Sequence, residues 1–180
     1  MSPRRQRLTS LVITGVAGAG KSTLLAALAD RLGWPAAEGD AMHPAANVAK
    51  MAAGIALDDA DRWPWLAQVA AWIGDREAER RSSIITCSAL RRSYRDLLRQ
   101  GHPSVWFVQL VAPRALVEDR LKRRTGHFMP PSLLPSQLHA FEQLERDEPG
   151  SIVDAGPSAD VIADQLIADL RLERVSGIAT

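Results

Sequence analysis

Short apolar runs alternate with longer amphipathic stretches along most of this chain. Five runs read as strands, at 8–14, 35–38, 83–87, 105–111 and 151–154. They are close to continuously apolar, as strands covered on both faces of a sheet should be. Between them the apolar positions recur at helical spacing. Helices are expected over 21–32, stopping at Gly33, and over 61–80, where Trp65, Leu66, Val69, Trp72 and Ile73 share one face. Others are expected over 91–100, ending at Gly101, over 113–124, with Pro113 in the first turn, and over 158–174, with Ser158 as N-cap. This alternation predicts an α/β fold, a parallel sheet flanked by helices. Right-handed crossovers then bring ligands to the carboxyl ends of the strands.

Two stretches break the pattern. Residues 40–61 are polar and irregular, with a short helical piece near 45–53. Residues 125–135, Thr-Gly-His-Phe-Met-Pro-Pro-Ser-Leu-Leu-Pro, follow a basic helix end. Long insertions in a compact domain are usually functional. The expectation is one domain of 180 residues with a mobile lid at about 120–137 and flexible ends at 1–7 and 176–180.

Composition narrows the class. The hydrophobic fraction of 46% and charged fraction of 24% suit a soluble globular protein. A net charge of +1 gives no basic excess for nucleic acid. No run of about 18 apolar residues occurs, so no membrane span is expected. Arg4, Arg5 and Arg7 precede no long apolar stretch, so neither a signal peptide nor an anchor is expected, and the cytoplasm is the default. Cys87 is the single cysteine, which excludes an internal disulfide and a multi-cysteine zinc site. Its apolar neighbours Ile84 and Ile85 predict a buried, inert thiol.

The chemistry concentrates at Gly15-Val16-Ala17-Gly18-Ala19-Gly20-Lys21-Ser22, which fits G-x-x-x-x-G-K-[ST] between an apolar strand and a helix. Such glycines let the backbone wrap a phosphate chain with its N–H groups turned inward. Lys21 then reaches the β- and γ-phosphates, Ser22 ligates Mg²⁺, and Thr23 supports the α-phosphate. Only three of the 22 basic residues are lysines, Lys21, Lys50 and Lys122. A lysine is kept where a compact ammonium does what a guanidinium cannot, which suits Lys21 and makes Lys50 a second candidate. The chain has no Asn-Lys-x-Asp for guanine, and Thr86-Cys87-Ser88 ends the third strand without a carboxylate. Glu38 and Asp40 supply two carboxylates at i, i+2, on one side of an extended segment. One can orient Mg²⁺ through water while the other faces an incoming hydroxyl; the alternative is a pair of solvated loop acids. Arg120 and Arg124 lie i, i+4 on a basic helix end that also holds Lys122 and Arg123, with His127 following. Both could face phosphates, whose transfer spreads negative charge over the γ-phosphoryl oxygens; the alternative is a solvated helix end.

Further motifs carry a resemblance. Gly39-Asp40-Ala41-Met42-His43-Pro44 is followed by Asn47 and Lys50-Met51, then by Gly54, Leu57, Asp61-Arg62 and Pro64-Trp65-Leu66. Cys87-Ser88-Ala89-Leu90-Arg91 is followed by Tyr94-Arg95-Asp96-Leu97-Leu98-Arg99, and later by Gly126-His127-Phe128-Met129, Leu133-Leu134 and Ser136-Gln137. In this order, from about residue 11 to 149, they resemble the gluconokinase family of P-loop small-molecule kinases. The resemblance implies a cytoplasmic homodimeric enzyme that phosphorylates D-gluconate on its 6-hydroxyl with MgATP, at the entry to the pentose phosphate or Entner–Doudoroff routes. It implies a five-stranded parallel sheet of order 2-3-1-4-5, as in nucleoside monophosphate and shikimate kinases, with substrate held by about 40–66. Asp40 would orient or accept the hydroxyl proton, Arg120 would lie near the adenine, and Arg124 near the phosphates. A sugar carboxylate needs a guanidinium fork, for which Arg62, Arg91 and Arg95 are candidates; His43 and His127 are candidates for hydroxyls. Three of them have a plainer alternative: Arg62 paired with Asp58, Asp59 or Asp61, Arg95 with Asp96 or neighbouring backbone, and His43 shaping a turn before Pro44. Trp63, Trp65 and Trp72 are expected in the core. The chain departs from the family pattern at Arg91, usually Lys, at Ala56, usually Pro, and at Glu38, often Asp. A shikimate- or adenylylsulfate-type kinase, or a nucleotide-binding regulator without turnover, are the competing readings.

Overall fold

The apolar strand before the glycine-rich loop, β1 (Ser10–Thr14), forms the middle of a five-stranded parallel sheet. The computed structural model describes residues 7–123 and 130–175. The other strands are β2 (Ala36–Glu38), β3 (Ser83–Thr86), β4 (Val105–Val111) and β5 (Gly150–Asp154), in the order β2-β3-β1-β4-β5. Ile13 lies opposite Thr86 on one side and Val108 on the other, so the carboxyl ends of the inner strands align at one rim. The helices are α1 (Lys21–Leu32), α2 (Ala45–Ala52), α3 (Asp59–Ala78), α4 (Arg92–Arg99), α5 (Arg114–Arg123), α6 (Leu134–Ala140) and α7 (Ala159–Leu170).

Strand alternation divides the interior into two cores. Leu11 and Ile13 pack with Leu24 and Leu28 of α1 and Ile162 and Leu166 of α7. Val12 turns to the opposite face and meets Trp65, Leu66, Val69 and Ile73 of α3, with Tyr94 and Leu98 of α4. Full coverage on both faces holds for β1 and β3 and for most of β4, but the edge strands β2 and β5 are only partly buried. Ile152 of β5 is 48% exposed. Edge strands have a neighbour on one side only, which an apolar run does not reveal.

Several boundaries move for local reasons. α3 starts two residues before the expected 61, because Asp58 and Asp61 form a reciprocal capping box: Asp61 N donates to Asp58 Oδ1 at 2.8 Å, and Asp58 N to Asp61 Oδ2 at 3.1 Å. α7 ends at Leu170, where Arg171 takes a left-handed conformation with φ 52°. A 3₁₀ turn, Gly39–Met42, follows β2 directly, and the Pro-rich stretch contains the unpredicted α6. Of the three tryptophans expected inside, Trp65 is fully buried, Trp72 is partly buried, and Trp63 is 36% exposed with its ring edge-on to Tyr94. Cys87 is buried, and burial pushes its thiol far above the usual range, as expected of an inert thiol.

Candidate active site

A cavity of about 510 Å³ opens at the carboxyl rim of the sheet. Its floor is the glycine-rich loop. Gly15, Gly18 and Gly20 all have positive φ, and Gly20, at 101°, starts α1 without any side-chain cap. A side chain in that conformation would be strained, so glycine here frees the first turn of α1 to meet an anion. Ala17, Gly18, Ala19, Gly20, Lys21, Ser22 and Thr23 line the cavity. Gly15 and Val16 contribute carbonyls instead: Lys21 Nζ donates to Gly15 O at 3.0 Å and to Val16 O at 3.1 Å. Arg120 approaches from α5, donating through Nη1 to Ala19 O at 3.2 Å and through Nη2 to Ala155 O at 2.7 Å. Beyond it the wall is formed by Ala155, Pro157 and Ile162, an apolar slot with a guanidinium at its edge.

The opposite wall comes from the segment after β2. Asp40, His43 and Arg62 line the cavity together with Met51, Leu57 and Trp65. Gly39 makes this arrangement possible, because a Cβ there would lie 2.1 Å from Thr86 O of β3. Trp65 Nε1 donates to Gly39 O at 2.7 Å, and its ring stacks on His43 with centroids 4.0 Å apart. One buried indole thus fixes the residues on both sides of Asp40. Asn47 Nδ2 donates to Asp61 O at 2.9 Å, which identifies that atom as nitrogen, and it lies 3.3 Å from His43 Nδ1. Nδ1 is therefore the acceptor, and the ring carries its proton on Nε2. Burial lowers His43 to about 4, against the nearby Asp40 carboxylate that raises it, so the ring is neutral near pH 7.

The remaining candidates fall elsewhere. Glu38 and Asp40 do not share a side, since the chain turns into the 3₁₀ helix between them. The Glu38 carboxylate accepts a short hydrogen bond from Thr86 Oγ1 and lies outside the cavity lining. Arg95 also lies outside it. It is fully buried, Nε donating to Glu148 Oε1 at 2.6 Å and Nη2 to Glu148 Oε2 at 2.9 Å, while Nη1 reaches Glu142 O at 3.0 Å. With its fork filled by Glu148, Arg95 holds α4 to the chain before β5 and has no donor set for a substrate carboxylate. Of the plainer reading, the backbone half holds, with Nη1 also reaching Ala89 O at 3.4 Å and Leu90 O at 3.3 Å, while Asp96 is not its partner. Arg91 pairs weakly with Asp59 at 3.4 Å and borders the Tyr94 ring, again outside the lining. Burial and the Asp59 carboxylate, which accepts from the Tyr94 hydroxyl, push that phenol up to about 12. Lys50 is engaged by Asp61 at 2.7 Å and so supports the α3 cap. Arg124 and His127 lie outside the described residues.

Three residues of the cavity escape a reading by residue type. Gln137 of α6 accepts from Ala17 N at 2.7 Å, Ser88 follows β3, and Trp65 is both core and wall. The Ser-Gln pair within the resemblance was the available signal for Gln137. A Mg²⁺ ion fits the donor set: the Ser22 hydroxyl and the Asp40 carboxylate line one cavity, and Mg²⁺ bound to substrate phosphates takes only one or two protein oxygens.

A phosphate loop opening α1, the sheet order and a second wall of acid, imidazole and guanidinium define a P-loop kinase. The model of the AAA domain matches residues 11–144. The gluconokinase of Gluconobacter oxydans (strain 621H) is 47% identical over 91% of this chain and 92% of its own length. A sugar kinase from Janibacter sp. HTCC2649 superposes with a TM-score of 0.87 at 44% identity, covering 92% of this chain and 95% of that one. A gluconokinase from Sinorhizobium meliloti 1021 superposes with a TM-score of 0.79 at 43% identity, covering 93% and 94%. The chain belongs to the gluconokinase family.

Proposed function

We propose that this chain transfers the γ-phosphoryl group of ATP to the 6-hydroxyl of D-gluconate. The observation that carries the reading is the two-walled cavity, phosphate loop on one side and Asp40, His43 and Arg62 on the other, in a chain 47% identical to a gluconokinase. Phosphoryl transfer depends mainly on positioning and on stabilising charge at the γ-phosphoryl oxygens. The loop amides and Lys21 hold the β- and γ-phosphates, Thr23 lies beside the α-phosphate, and the apolar slot beside Arg120 takes the adenine. Asp40 orients the attacking hydroxyl and accepts its proton, a contribution worth about 10²–10⁴ in rate. The His43 Nε2–H donates to a sugar hydroxyl, and Arg62 faces the sugar carboxylate; with Arg95 buried, Arg62 is the carboxylate candidate that lines the cavity. Ser22 would hold Mg²⁺, with Asp40 reaching it through water, and the ion when bound neutralises phosphate charge. Arg124 and His127 keep the phosphate and hydroxyl roles that the family resemblance suggests. We also propose a cytoplasmic homodimer, in line with that resemblance and with the absence, among the described residues, of a helix long and apolar enough to cross a membrane.

The test is ADP release measured across gluconate, shikimate and nucleoside monophosphates, with the product's phosphate position read by NMR. Gluconate alone should stimulate release and should carry phosphate on carbon 6. Stimulation by shikimate or a monophosphate instead, or ATP binding with no stimulated release, would reject this assignment.

A further inference from the structure

The Val16–Ala17 peptide of the phosphate loop is gripped on both edges. Its carbonyl accepts from Lys21 Nζ at 3.1 Å, and its N–H donates to Gln137 Oε1 at 2.7 Å. In a trans peptide these two groups lie in one plane and point in opposite directions, so the two bonds together fix its rotation. Gln137 lies 120 residues further along the chain and is only 8% exposed. Leu134, one turn earlier on α6, packs in the same core as Val16, Ala17 and Ala19. The helix is thus seated on the loop by an apolar contact and registered to it by the buried Ala17–Gln137 hydrogen bond. Ala17, Lys21 and Gln137 all line the cavity.

We propose that Gln137 is a positioning residue for the nucleotide: it holds the Val16–Ala17 peptide in the orientation from which Lys21 engages a triphosphate. The inference rests on the phosphate role given to Lys21 above. When the ammonium turns from the Val16 carbonyl to phosphate oxygens, that carbonyl keeps a backbone bond from Ala19 N at 3.2 Å, and the Gln137 bond stays on the Ala17 N–H edge. Without it the Ala17 N–H is a buried donor with its acceptor removed, and a rotated peptide would turn its carbonyl away from Lys21. Gln137 therefore acts through Lys21 and not on the acceptor sugar.

A double-mutant cycle separates this from a purely structural role. MgATP dissociation constants are measured without sugar for the parent, Lys21→Ala, Gln137→Ala and the double variant, each checked for folding by thermal melting. Gln137→Ala should weaken MgATP about tenfold in the parent and less than about twofold in the Lys21→Ala background. The same loss in both backgrounds, or no loss in the parent, overturns the proposal. Should Gln137→Ala not fold, Gln137→Met keeps the side-chain volume while removing the amide, carbonyl and NH2 together, and is held to the same outcomes. Because no sugar is present, a parent enzyme inactive on gluconate would reject that substrate while leaving this result intact.

Discussion

His43 shows how one side chain is set by its surroundings. Burial against Trp65 disfavours the imidazolium, the Asp40 carboxylate favours it, and Arg62 disfavours it again, with about 4 as the outcome. Asn47 decides which nitrogen carries the proton. The folded-state value lies below the ordinary 6.5. Between those two pH values the unfolded chain binds a proton that the folded chain refuses, so the stability linked to this residue falls as pH drops through that window. The ring should then show no titration above about pH 5 by NMR, and an Nε2-protonated tautomer at neutrality. A midpoint near 6.5 would remove its role as a fixed neutral donor. Lys21 and Asp40 were legible in the sequence because charge at a set spacing is a strong signal. Gln137 and Trp65 were not, since a neutral amide and an indole look the same in a core as in a site.

Elements account for most of what the sequence pattern concealed. The i, i+2 spacing of Glu38 and Asp40 implied a shared side only if the chain stayed extended. Gly39 instead lets β2 end in a 3₁₀ turn pressed against the β3 backbone, sending Glu38 to Thr86 and Asp40 into the cavity. Gly39→Ala is therefore expected to cost about 3 kcal/mol or more in chemical denaturation, the upper range for overpacking, since the obstructing atom is backbone. A loss under about 1 kcal/mol would show that the turn is not constrained by that approach. The start of α3 was hidden in a similar way. The helix was expected from 61, yet the Asp58–Asp61 capping box begins it at Asp59 and leaves Pro64 inside it. The regular elements were readable because buried inner strands and amphipathic helices repeat with fixed periods, as α1 and β4 show.

Across the molecule, two cores hold a parallel sheet whose carboxyl rim presents the nucleotide wall from β1 and the acid wall from the β2–α3 segment. The Arg95–Glu148 pair joins α4 to the chain before β5 behind that rim. Burial raises the Glu148 carboxyl, but the pairing with Arg95 and the Glu145 N–H outweigh it and hold the group below its ordinary value. Arg95→Ala would strand that carboxylate and should cost about 3–5 kcal/mol in denaturation experiments. A wild-type denaturation midpoint would return Arg95 to the candidates for substrate contact. The decisive measurement for the whole account is steady-state turnover of Asp40→Asn alongside its equilibrium affinity for MgATP. Turnover should fall by about 10²–10⁴ while affinity changes by less than about threefold, because the amide keeps the shape of the wall and loses only the proton acceptor. Turnover within about threefold of the parent would mean that the acid facing the phosphate loop takes no part in the transfer.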